Sequence, residues 1–410
     1  TDHLVHGATL LGVNRRGQRV YEDGAEHRYL AGEPDAAFGE LAAVDYLRLT
    51  ADDDLPELAA GLLYRALQEE KLGAEDLLHL SRAIAVPPGR PPVSLHTLRE
   101  ALEAASVRHF RAAGEGLAPA AAFIAARRLA DHLPPAVTRS ADTLAFAQYS
   151  TPLPLAVAAR TLLGPLGAGR TLLEPTAGHG ALLLDLPADA RITAVEIDAG
   201  RARRLDAVLA AGPGATGSHA IVGDILRQPA PATPYDYILA NPPFGDLSQH
   251  RPEAGAQTRV TFEGVSFPTR RLDHLILLET LKRRHPQGRA VYLIGADHPR
   301  NHDLDTPAGG SRHLFNLLGD HYRVEAVIGL HGRLYGGQGA HWPLRLVVVG
   351  ERGTGFPAVP EKTPVAGSWD ELWTLVETLA PRIGPSVLER AAPAAEPTAS
   401  PADAASGHPA

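Results

Sequence analysis

Short β-rich apolar runs alternate with helical stretches between residues 141 and 352, and this alternation is the feature that most constrains the fold. It is typical of βαβ units, in which consecutive strands become parallel neighbours in one sheet. The sequence therefore predicts an α/β protein with a doubly wound, seven-stranded, mostly parallel sheet. The seven predicted strands are Thr171–Glu174, Ile192–Glu196, His219–Val222, Tyr235–Ala240, Ala290–Ile294, Val324–Ile328 and Leu344–Val349.

The last two predicted strands are joined by a glycine-rich loop, Gly329 to Pro343. A parallel connection needs a helical crossover of about a dozen or more residues plus a turn at each end, and this loop is too short to hold both. We therefore expect these two strands to be antiparallel neighbours.

Composition divides the rest of the chain into three regions. Residues 1–140 are predicted as a mostly helical domain with an opening β-hairpin, in which Arg19–Tyr21 and His27–Tyr29 flank a turn, followed by helices over Leu55–Glu70 and Leu95–Ala113. Residues 353–384 are predicted as a helical extension, with a helix near Ser368–Leu379 capped by Ser368. Residues 385–410 are rich in Ala, Pro and Ser and are predicted as a disordered tail or linker.

The composition also excludes several kinds of chemistry. The chain has 410 residues and no cysteine, so disulfides, thiolate metal sites and cysteine nucleophiles are excluded. Its formal net charge is −8, although residues 241–300 carry nine Lys/Arg against six Asp/Glu, a local balance of +3 that is compatible with nucleic acid. We find no signal-peptide pattern and no apolar run of the ~18 residues that a membrane helix needs, and we expect a cytoplasmic protein.

The loop after the first predicted strand has the pattern of a nucleotide-binding turn. Glu174-Pro175-Thr176-Ala177-Gly178-His179-Gly180 runs from a strand end into a tight turn, where glycines let a ligand approach the backbone. A carboxylate at the position of Glu174 would repel a pyrophosphate but can accept a hydrogen bond from an α-amino group. A glycine-rich turn alone is also typical of an ordinary strand–helix connection.

Two further carboxylates follow the next two predicted strands. Glu196 lies 22 residues after Glu174, the spacing of an acidic residue that holds ribose hydroxyls in this fold. Asp224 is placed to accept from an adenine amino group, with Ile225 packing on the ring. Asp198 is predicted to cap the following helix rather than to contact a ligand. Taken singly, each carboxylate is more often a loop residue or a helix cap.

The segment Asn241-Pro242-Pro243-Phe244 follows a buried strand and suggests a specific reaction. Two prolines directly after a central strand end the ladder and fix the backbone direction. The Asn241 amide oxygen and the Pro242 carbonyl can then accept both hydrogens of a free exocyclic NH₂ group, which frees the nitrogen lone pair to attack a methyl sulfonium. Phe244 offers a face on which a base can stack, a contact worth ~1–3 kcal/mol.

Together these motifs resemble the amino-methyltransferases with an Asn-Pro-Pro-Phe motif, in the gamma-type order with the cofactor half first. Residues 149–350 are also similar to the methylase region of strawberry-notch-type methylase–helicase proteins of phages and plasmids. That similarity rests on Ser150-Thr151-Pro152, on Asp273-His274 and on the segment Leu334–Pro343. Thr151-Pro152 also fits a plain N-cap and first-turn pair before the predicted helix Leu153–Leu163. No helicase motif occurs in the sequence.

The resemblance makes residues 141–352 the catalytic domain of an enzyme that uses S-adenosylmethionine to methylate N6 of adenine in DNA, with the target base flipped out of the duplex. It implies catalysis by Asn241, Pro242, Pro243 and Phe244, and cofactor contacts from Tyr149, Ser150, Thr151, Pro152, Glu174, Pro175, Ala177, Gly178, Gly180, Glu196, Ile197, Asp224, Ile225 and Asn241. Substrate contacts are expected from Phe244, Tyr335, Trp342, Arg251 and Arg259. A helicase or specificity protein is a further expected partner, and a restriction-modification or phage and plasmid modification role is expected.

Other functions stay open at this point. The same loop occurs in enzymes that methylate rRNA guanine or a glutamine amide of a translation factor, although the segment Tyr149–Pro152 favours the DNA enzymes. A non-catalytic DNA-binding or scaffold subunit is disfavoured by the intact Asn241–Phe244. His298, His302 and His313 match no zinc spacing, and we interpret them as solvated or as neighbours of phosphate, with no metal site.

Overall fold

The computed structural model describes residues 9–14, 19–22, 28–30, 46–48, 60–61, 63–64, 71–84, 94–113, 116–134, 150–184, 186–187, 189–210, 217–250, 258–297, 304–338 and 341–390. Of the predicted site residues, Tyr149 and Arg251 lie outside these ranges, as do His298, His302, most of the predicted helix Leu55–Glu70 and residues 391–410.

The strands are β1 (Thr9–Asn14), β2 (Arg19–Glu22), β3 (Arg28–Leu30), β4 (Tyr46–Arg48), β5 (Thr171–Glu174), β6 (Arg191–Glu196), β7 (His219–Val222), β8 (Tyr235–Ala240), β9 (Thr258–Phe262), β10 (Val265–Thr269), β11 (Arg284–Gly295), β12 (Tyr322–Leu330), β13 (Leu344–Arg352) and β14 (Val365–Ala366). The helices are α1 (Ala74–Ile84), α2 (Leu95–Ala113), α3 (Pro119–His132), α4 (Leu153–Leu163), α5 (Ala199–Ala210), α6 (Leu247–His250), α7 (Leu272–Leu281), α8 (Gly309–His321), α9 (Trp369–Ile383) and α10 (Val387–Arg390).

The main sheet has the order β14-β12-β13-β11-β8-β5-β6-β7. Strand β13 runs antiparallel to β11 and β12, and the other neighbours are parallel, so the predicted antiparallel pair is confirmed. All seven predicted strands are present. The count of seven is nevertheless wrong, because the two-residue strand β14 adds to β12 as an eighth, and two residues are too few to show a period in the sequence.

The sheet buries a layer of side chains on each face. Along β11, Val291 and Leu293 belong to one apolar cluster, whereas Ala290, Tyr292 and Ile294 belong to the other. This is the two-residue period of a strand with both faces covered. Helices α4, α5 and α9 contribute to the first cluster, and α7 and α8 contribute to the second.

The N-terminal helices pack on the first of these clusters. The predicted helix Leu95–Ala113 coincides with α2, whose buried apolar residues include Leu98 and Leu102. In α3, Phe123 stacks on Trp373 of α9 with 4.5 Å between the ring centroids. Helix α2 lies against α5, and α3 lies against α4, so both N-terminal helices cover the face of the sheet that belongs to the first apolar cluster.

The opening of the chain forms more strands than predicted. Strands β2 and β3 pair antiparallel, which confirms the predicted hairpin. Strands β1 and β4 extend it to a four-stranded sheet in the order β3-β2-β1-β4. The pairing of β1 with β4 joins residues more than 30 positions apart, so no local turn signal could reveal it.

The segment Gly245–Phe267, which follows the Asn-Pro-Pro-Phe motif, is partly regular. It contains α6 and the hairpin β9–β10, whose turn places Glu263 and Gly264 in the left-handed region with φ of 52° and 80°. Val260 and Phe262 are buried in the second apolar cluster, and the Glu263 carboxylate accepts a hydrogen bond of 2.8 Å from the Tyr322 hydroxyl. Buried and exposed side chains alternate along β9, and its buried side becomes a core face because α7 packs against it.

The C-terminal part confirms the predicted helix cap. Helix α9 begins after Ser368, whose hydroxyl accepts from the backbone N–H of Glu371 at 3.2 Å. Residues 385–390, which composition placed in the tail, include α10 and bond to the sheet: the Tyr237 hydroxyl donates to Glu389 at 2.6 Å. Within the described ranges, no helix combines the length and apolar character needed to span a bilayer.

Candidate active site

A cavity of about 710 Å³ lies at the carboxyl ends of the central parallel strands. The strand order reverses between β5 and β8, and in open α/β sheets ligands bind at the carboxyl edge of such a switch point. The loops after β5, β6, β7 and β8 all line the cavity. They are joined by the segment Ser150–Leu153, by parts of α2 and α3, and by Arg333, Leu334, Gly337 and Gln338. The four predicted motifs therefore meet in one place.

Glu174 ends β5 with 2% of its surface exposed, and it lies outside the cavity lining, which begins at the next residue, Pro175. Its Oε2 atom has no hydrogen-bond partner in the described part of the chain. Burial, and then the charge of nearby Glu196, raise the pKa of Glu174 well above its ordinary value. Such a carboxyl group is arranged to receive a cationic or donor group from a ligand.

The glycine loop after β5 turns because two glycines adopt left-handed conformations. Gly178 has φ of 55° and Gly180 has φ of 78°, and a Cβ atom at Gly180 would come within 2.9 Å of Leu205. Gly178, Pro175 and Ala177 line the cavity, whereas Gly180 lies outside its lining and lets the following 3₁₀ turn pack closely. The predicted roles of these residues therefore divide into contact with the cavity and shaping of the loop.

Glu196 holds the two loops together at the end of β6. Its carboxylate accepts from the backbone N–H of Gly178 at 2.7 Å and from that of Asp198 at 2.8 Å. Asp198 accepts from the N–H of Arg201 at 2.8 Å, which is the capping role predicted for it. Ile197 lines the cavity and is 49% exposed, so it offers an apolar face at the rim.

Asp224 follows β7 and begins a short 3₁₀ turn. Its Oδ1 atom accepts from the N–H of Leu226 at 2.9 Å, and both Asp224 and the buried Ile225 line the cavity. Its Oδ2 atom lies 3.7 Å from Nε of Arg227, so the carboxylate is also paired with a cation at the cavity edge. A carboxylate can accept several hydrogen bonds, so these contacts are compatible with a further donor from a ligand.

The amide of Asn241 is oriented by two hydroxyl groups. Its Nδ2 group donates to Thr151 Oγ1 and to the Tyr335 hydroxyl, each at 2.8 Å. Its Oδ1 atom is buried and accepts no hydrogen bond from any described residue. The donor half of the amide is therefore used by the protein, and the acceptor half stays for a ligand.

Thr151 does not cap helix α4, contrary to one of the two sequence-based interpretations. The N-cap is Pro152, and no side chain caps the helix there. The Thr151 hydroxyl instead bonds to Asn241, which explains why a threonine precedes the proline. Ser150 is equally engaged, because its hydroxyl donates to Glu103 Oε2 of α2 at 2.6 Å.

The remaining predicted substrate residues lie at different depths. Pro242, Pro243 and Phe244 line the cavity, and the Phe244 ring meets Tyr335 edge to face with 6.4 Å between centroids. Tyr335 is only 2% exposed and stands behind Asn241. Trp342 is 42% exposed outside the cavity lining, and Arg259 is exposed on β9, where its guanidinium donates to Ser266 at 3.3 Å.

Helices α2 and α3 contribute cavity residues that the sequence did not suggest. They supply Arg99, Glu103, Ser106, Val107, Ala130 and Asp131 to the lining. One feature of the sequence could have indicated this contribution. Glu100 and Glu103 occur among the apolar positions of α2 that are buried, which include Leu98, Ala101 and Leu102. A charged residue among core positions indicates a buried polar contact, but the partner lies elsewhere in the chain.

Glu100 of α2 makes an ion-pair network with the glycine loop. It accepts two hydrogen bonds from Arg201, at 2.9 and 2.5 Å, and lies 3.3 Å from Nε2 of His179. Burial raises the pKa of Glu100, but the charges and hydrogen bonds of His179 and Arg201 outweigh it and hold the pKa well below its ordinary value. Glu100, Glu103 and His179 have metal-ligand proximity, yet Arg201 and Arg99 already neutralise the two carboxylates.

No protein-family model matches the chain, and no curated protein matches its sequence. Among solved structures, the methyltransferase subunit of a type I restriction-modification system from Streptococcus thermophilus is 15% identical over 80% of this chain and 74% of that one, with a TM-score of 0.42. A putative class I S-adenosylmethionine-dependent methyltransferase from Listeria monocytogenes is 14% identical over 80% and 91%, with a TM-score of 0.42. A putative RNA methyltransferase from Pyrococcus horikoshii is 16% identical over 56% and 96%, with a TM-score of 0.35.

Proposed function

We propose that the chain is an S-adenosylmethionine-dependent methyltransferase that acts on an exocyclic amino group, with N6 of adenine in DNA as its substrate. The observation that carries the proposal is the Asn241 amide: both of its N–H groups are used by Thr151 and Tyr335, and its buried oxygen has no partner among the described residues. An oriented acceptor in a cavity, followed by Pro242-Pro243-Phe244, fits a planar amino group as ligand.

The carboxylates in and beside the cavity are hydrogen-bond acceptors that fit S-adenosylmethionine. The partnerless Oε2 atom of Glu174 fits an α-ammonium group, since a cation would also offset the cost of ionising this buried carboxyl. Glu196 fits ribose hydroxyls, and Asp224 with Ile197 and Ile225 fits an adenine ring with its amino group. When bound, S-adenosylmethionine supplies the electrophilic methyl group.

The protein's own residues then act by orientation. Asn241 Oδ1 and the Pro242 carbonyl accept the two amino hydrogens and direct the nitrogen lone pair toward the methyl group. Methylation would replace one of the two amino hydrogens, whose proton would be lost to water. Phe244 holds the base by stacking, and no covalent enzyme intermediate is needed, which agrees with a chain that has no cysteine.

The choice of adenine in DNA rests on the resemblance of the Asn-Pro-Pro-Phe motif and of Ser150-Thr151-Pro152 to the DNA enzymes. Duplex DNA, with the target base flipped, is then the partner, and residues 141–352 are the catalytic region. We also propose a helicase or specificity protein as a partner. The biological role would be DNA modification or restriction-modification, the kind of system named for the Streptococcus thermophilus structure.

The test is transfer of a tritiated methyl group to DNA, rRNA and protein in parallel, with Asn241→Ala as the blank. We expect label on DNA, recovered as N6-methyladenine after digestion, and background levels with the variant. Label on rRNA guanine or on a protein glutamine would keep the reaction and replace the substrate. Cofactor binding without transfer to any of the three would favour a non-catalytic subunit.

A further inference from the structure

We infer that Arg99 and Glu103, an ion pair on helix α2, are positioning residues for the Asn241 amide. The inference rests on the proposed function, because it concerns how the amino-group acceptor is held. Asn241 has two anchors, Thr151 and Tyr335, which belong to segments far apart in the sequence. Each of these two segments is fastened to one member of the ion pair.

The first connection runs through Glu103. Its Oε2 atom accepts from the Ser150 hydroxyl at 2.6 Å, and the next residue, Thr151, accepts from Asn241 Nδ2 at 2.8 Å. The Glu103 side chain is 6% exposed, so this hydrogen bond is shielded from water. Glu103 thereby fixes the backbone that carries the first anchor.

The second connection runs through Arg99. Its guanidinium donates to the Gly337 carbonyl at 3.1 Å and to the side chain of Gln338 at 3.2 Å. These residues end the 3₁₀ turn Gly332–Gln338, which contains Tyr335, the second anchor. Arg99 also donates to the Pro134 carbonyl at 3.1 Å, so its position is fixed from the side of α3 as well.

The pair joins the two connections into one unit. Arg99 and Glu103 are one helical turn apart and form a salt bridge, with the side chains 13% and 6% exposed. Loss of either residue breaks the salt bridge and frees one of the two anchoring segments, although Glu103 keeps His179 Nδ1 at 3.8 Å. The Asn241 amide then rotates more freely about its side-chain bonds, and its oxygen no longer keeps one direction. Although Arg99 and Glu103 also line the cavity, this route from the N-terminal region to catalysis runs through the asparagine.

The inference can be tested without any activity. The sequence contains four asparagines, Asn14, Asn241, Asn301 and Asn316, so selective ¹⁵N-asparagine labelling gives few side-chain amide signals. The Asn241 pair is assigned by its loss in Asn241→Asp. We expect Arg99→Ala and Glu103→Ala to shift or broaden the Asn241 pair while the other pairs stay in place. Arg108→Ala, on the same helix, is the matched control and should leave all pairs unchanged.

Kinetics provide the second measurement. We expect Arg99→Ala to lower kcat about 10-fold at saturating cofactor and substrate, and to lower it less than about 2-fold further in a Tyr335→Phe background. Glu103→Gln keeps an acceptor for Ser150 and should retain more activity than Glu103→Ala. An unchanged Asn241 signal in both alanine variants, or fully additive losses of kcat, would overturn the inference. A wild-type protein that transfers no methyl group would overturn the proposed function alone, since the amide signals still report on the positioning.

Discussion

The Tyr335 hydroxyl lies 2.8 Å from Nδ2 of Asn241, although 94 residues separate the two in the chain. Tyr335 is buried, and burial raises the pKa of its hydroxyl above the ordinary value, so it stays protonated and neutral. A neutral hydroxyl can accept from the amide at all working pH values. The tyrosine that the family resemblance assigned to the substrate therefore contacts the donor half of the Asn241 amide.

Replacement of Asn241 should separate chemistry from cofactor binding. We expect Asn241→Ala to lower methyl transfer by at least ~100-fold, because an oriented acceptor acts mainly in the transition state. Cofactor affinity, measured by calorimetry, should change little. Asn316→Ala, at an exposed position on α8, is the matched control. A variant that keeps most of the wild-type turnover would remove Asn241 from the mechanism.

Glu174→Gln should have opposite effects on stability and on binding. Because the pKa of Glu174 is higher in the fold than in the unfolded chain, ionisation of this carboxyl group lowers the free energy of unfolding of the ligand-free protein. This loss of stability is absent below the ordinary pKa of 4.5 and grows as the pH rises through the folded-state pKa. We therefore expect the variant to have a higher Tm than wild type at neutral pH, with the difference shrinking toward pH 4.5.

The same variant should bind S-adenosylmethionine more weakly, because a neutral amide attracts an ammonium group less than a carboxylate does. The exposed Glu377→Gln serves as control for both measurements. Equal Tm values at neutral pH would show that Glu174 ionises without cost in the fold, and equal affinity would place the ammonium group elsewhere.

Glu196→Ala should weaken cofactor binding by ~1–3 kcal/mol, since a buried donor would lose its acceptor. The two backbone N–H groups that Glu196 now accepts from, those of Gly178 and Asp198, lose their partner as well. Calorimetry on the folded variant, checked by circular dichroism, gives the affinity. Unchanged affinity in a folded variant would exclude Glu196 from the site.

Changes in residues 251–257 should affect methyl transfer, whereas changes in the hairpin β9–β10 that follows should affect stability. Phe262 is fully buried, and Phe262→Ala should cost ~3–5 kcal/mol of unfolding free energy in denaturant titration. Shortening residues 251–257 alone should spare stability and lower transfer to DNA, because this segment follows the catalytic loop. A shortened protein as fast as the parent would make the segment a linker only.

DNA binding should depend steeply on salt and weakly on sequence. With Arg259 on an exposed strand and base contacts confined to the cavity, phosphate neutralisation supplies most of the affinity. Titration of binding against salt concentration, on two unrelated duplexes, should give similar slopes. A sharply preferred recognition site in this chain would instead indicate that the N-terminal region reads bases.

The sequence by itself determined the seven longer strands of the main sheet and the positions of the loops that meet at the cavity. These follow from local rules: two-residue and 3.6-residue periods mark the elements, and carboxylates or Asn-Pro-Pro directly after strands must reach one edge of a parallel sheet. Glu196, Asp224 and Asn241 line the cavity for this reason, and Glu174 precedes the lining residue Pro175.

Only the tertiary structure decided which hydrogen-bond and ion-pair partners orient the residues of the cavity. Thr151, Tyr335, Arg99 and Glu103 act through contacts with residues that are distant in sequence, and no local period encodes such a partner. The same holds for the two-residue strand β14 and for the hairpin β9–β10, whose inner side becomes a core face only against α7. Local patterns set which elements form, whereas burial and hydrogen-bond partners depend on which elements meet, and that is fixed by packing of the whole chain.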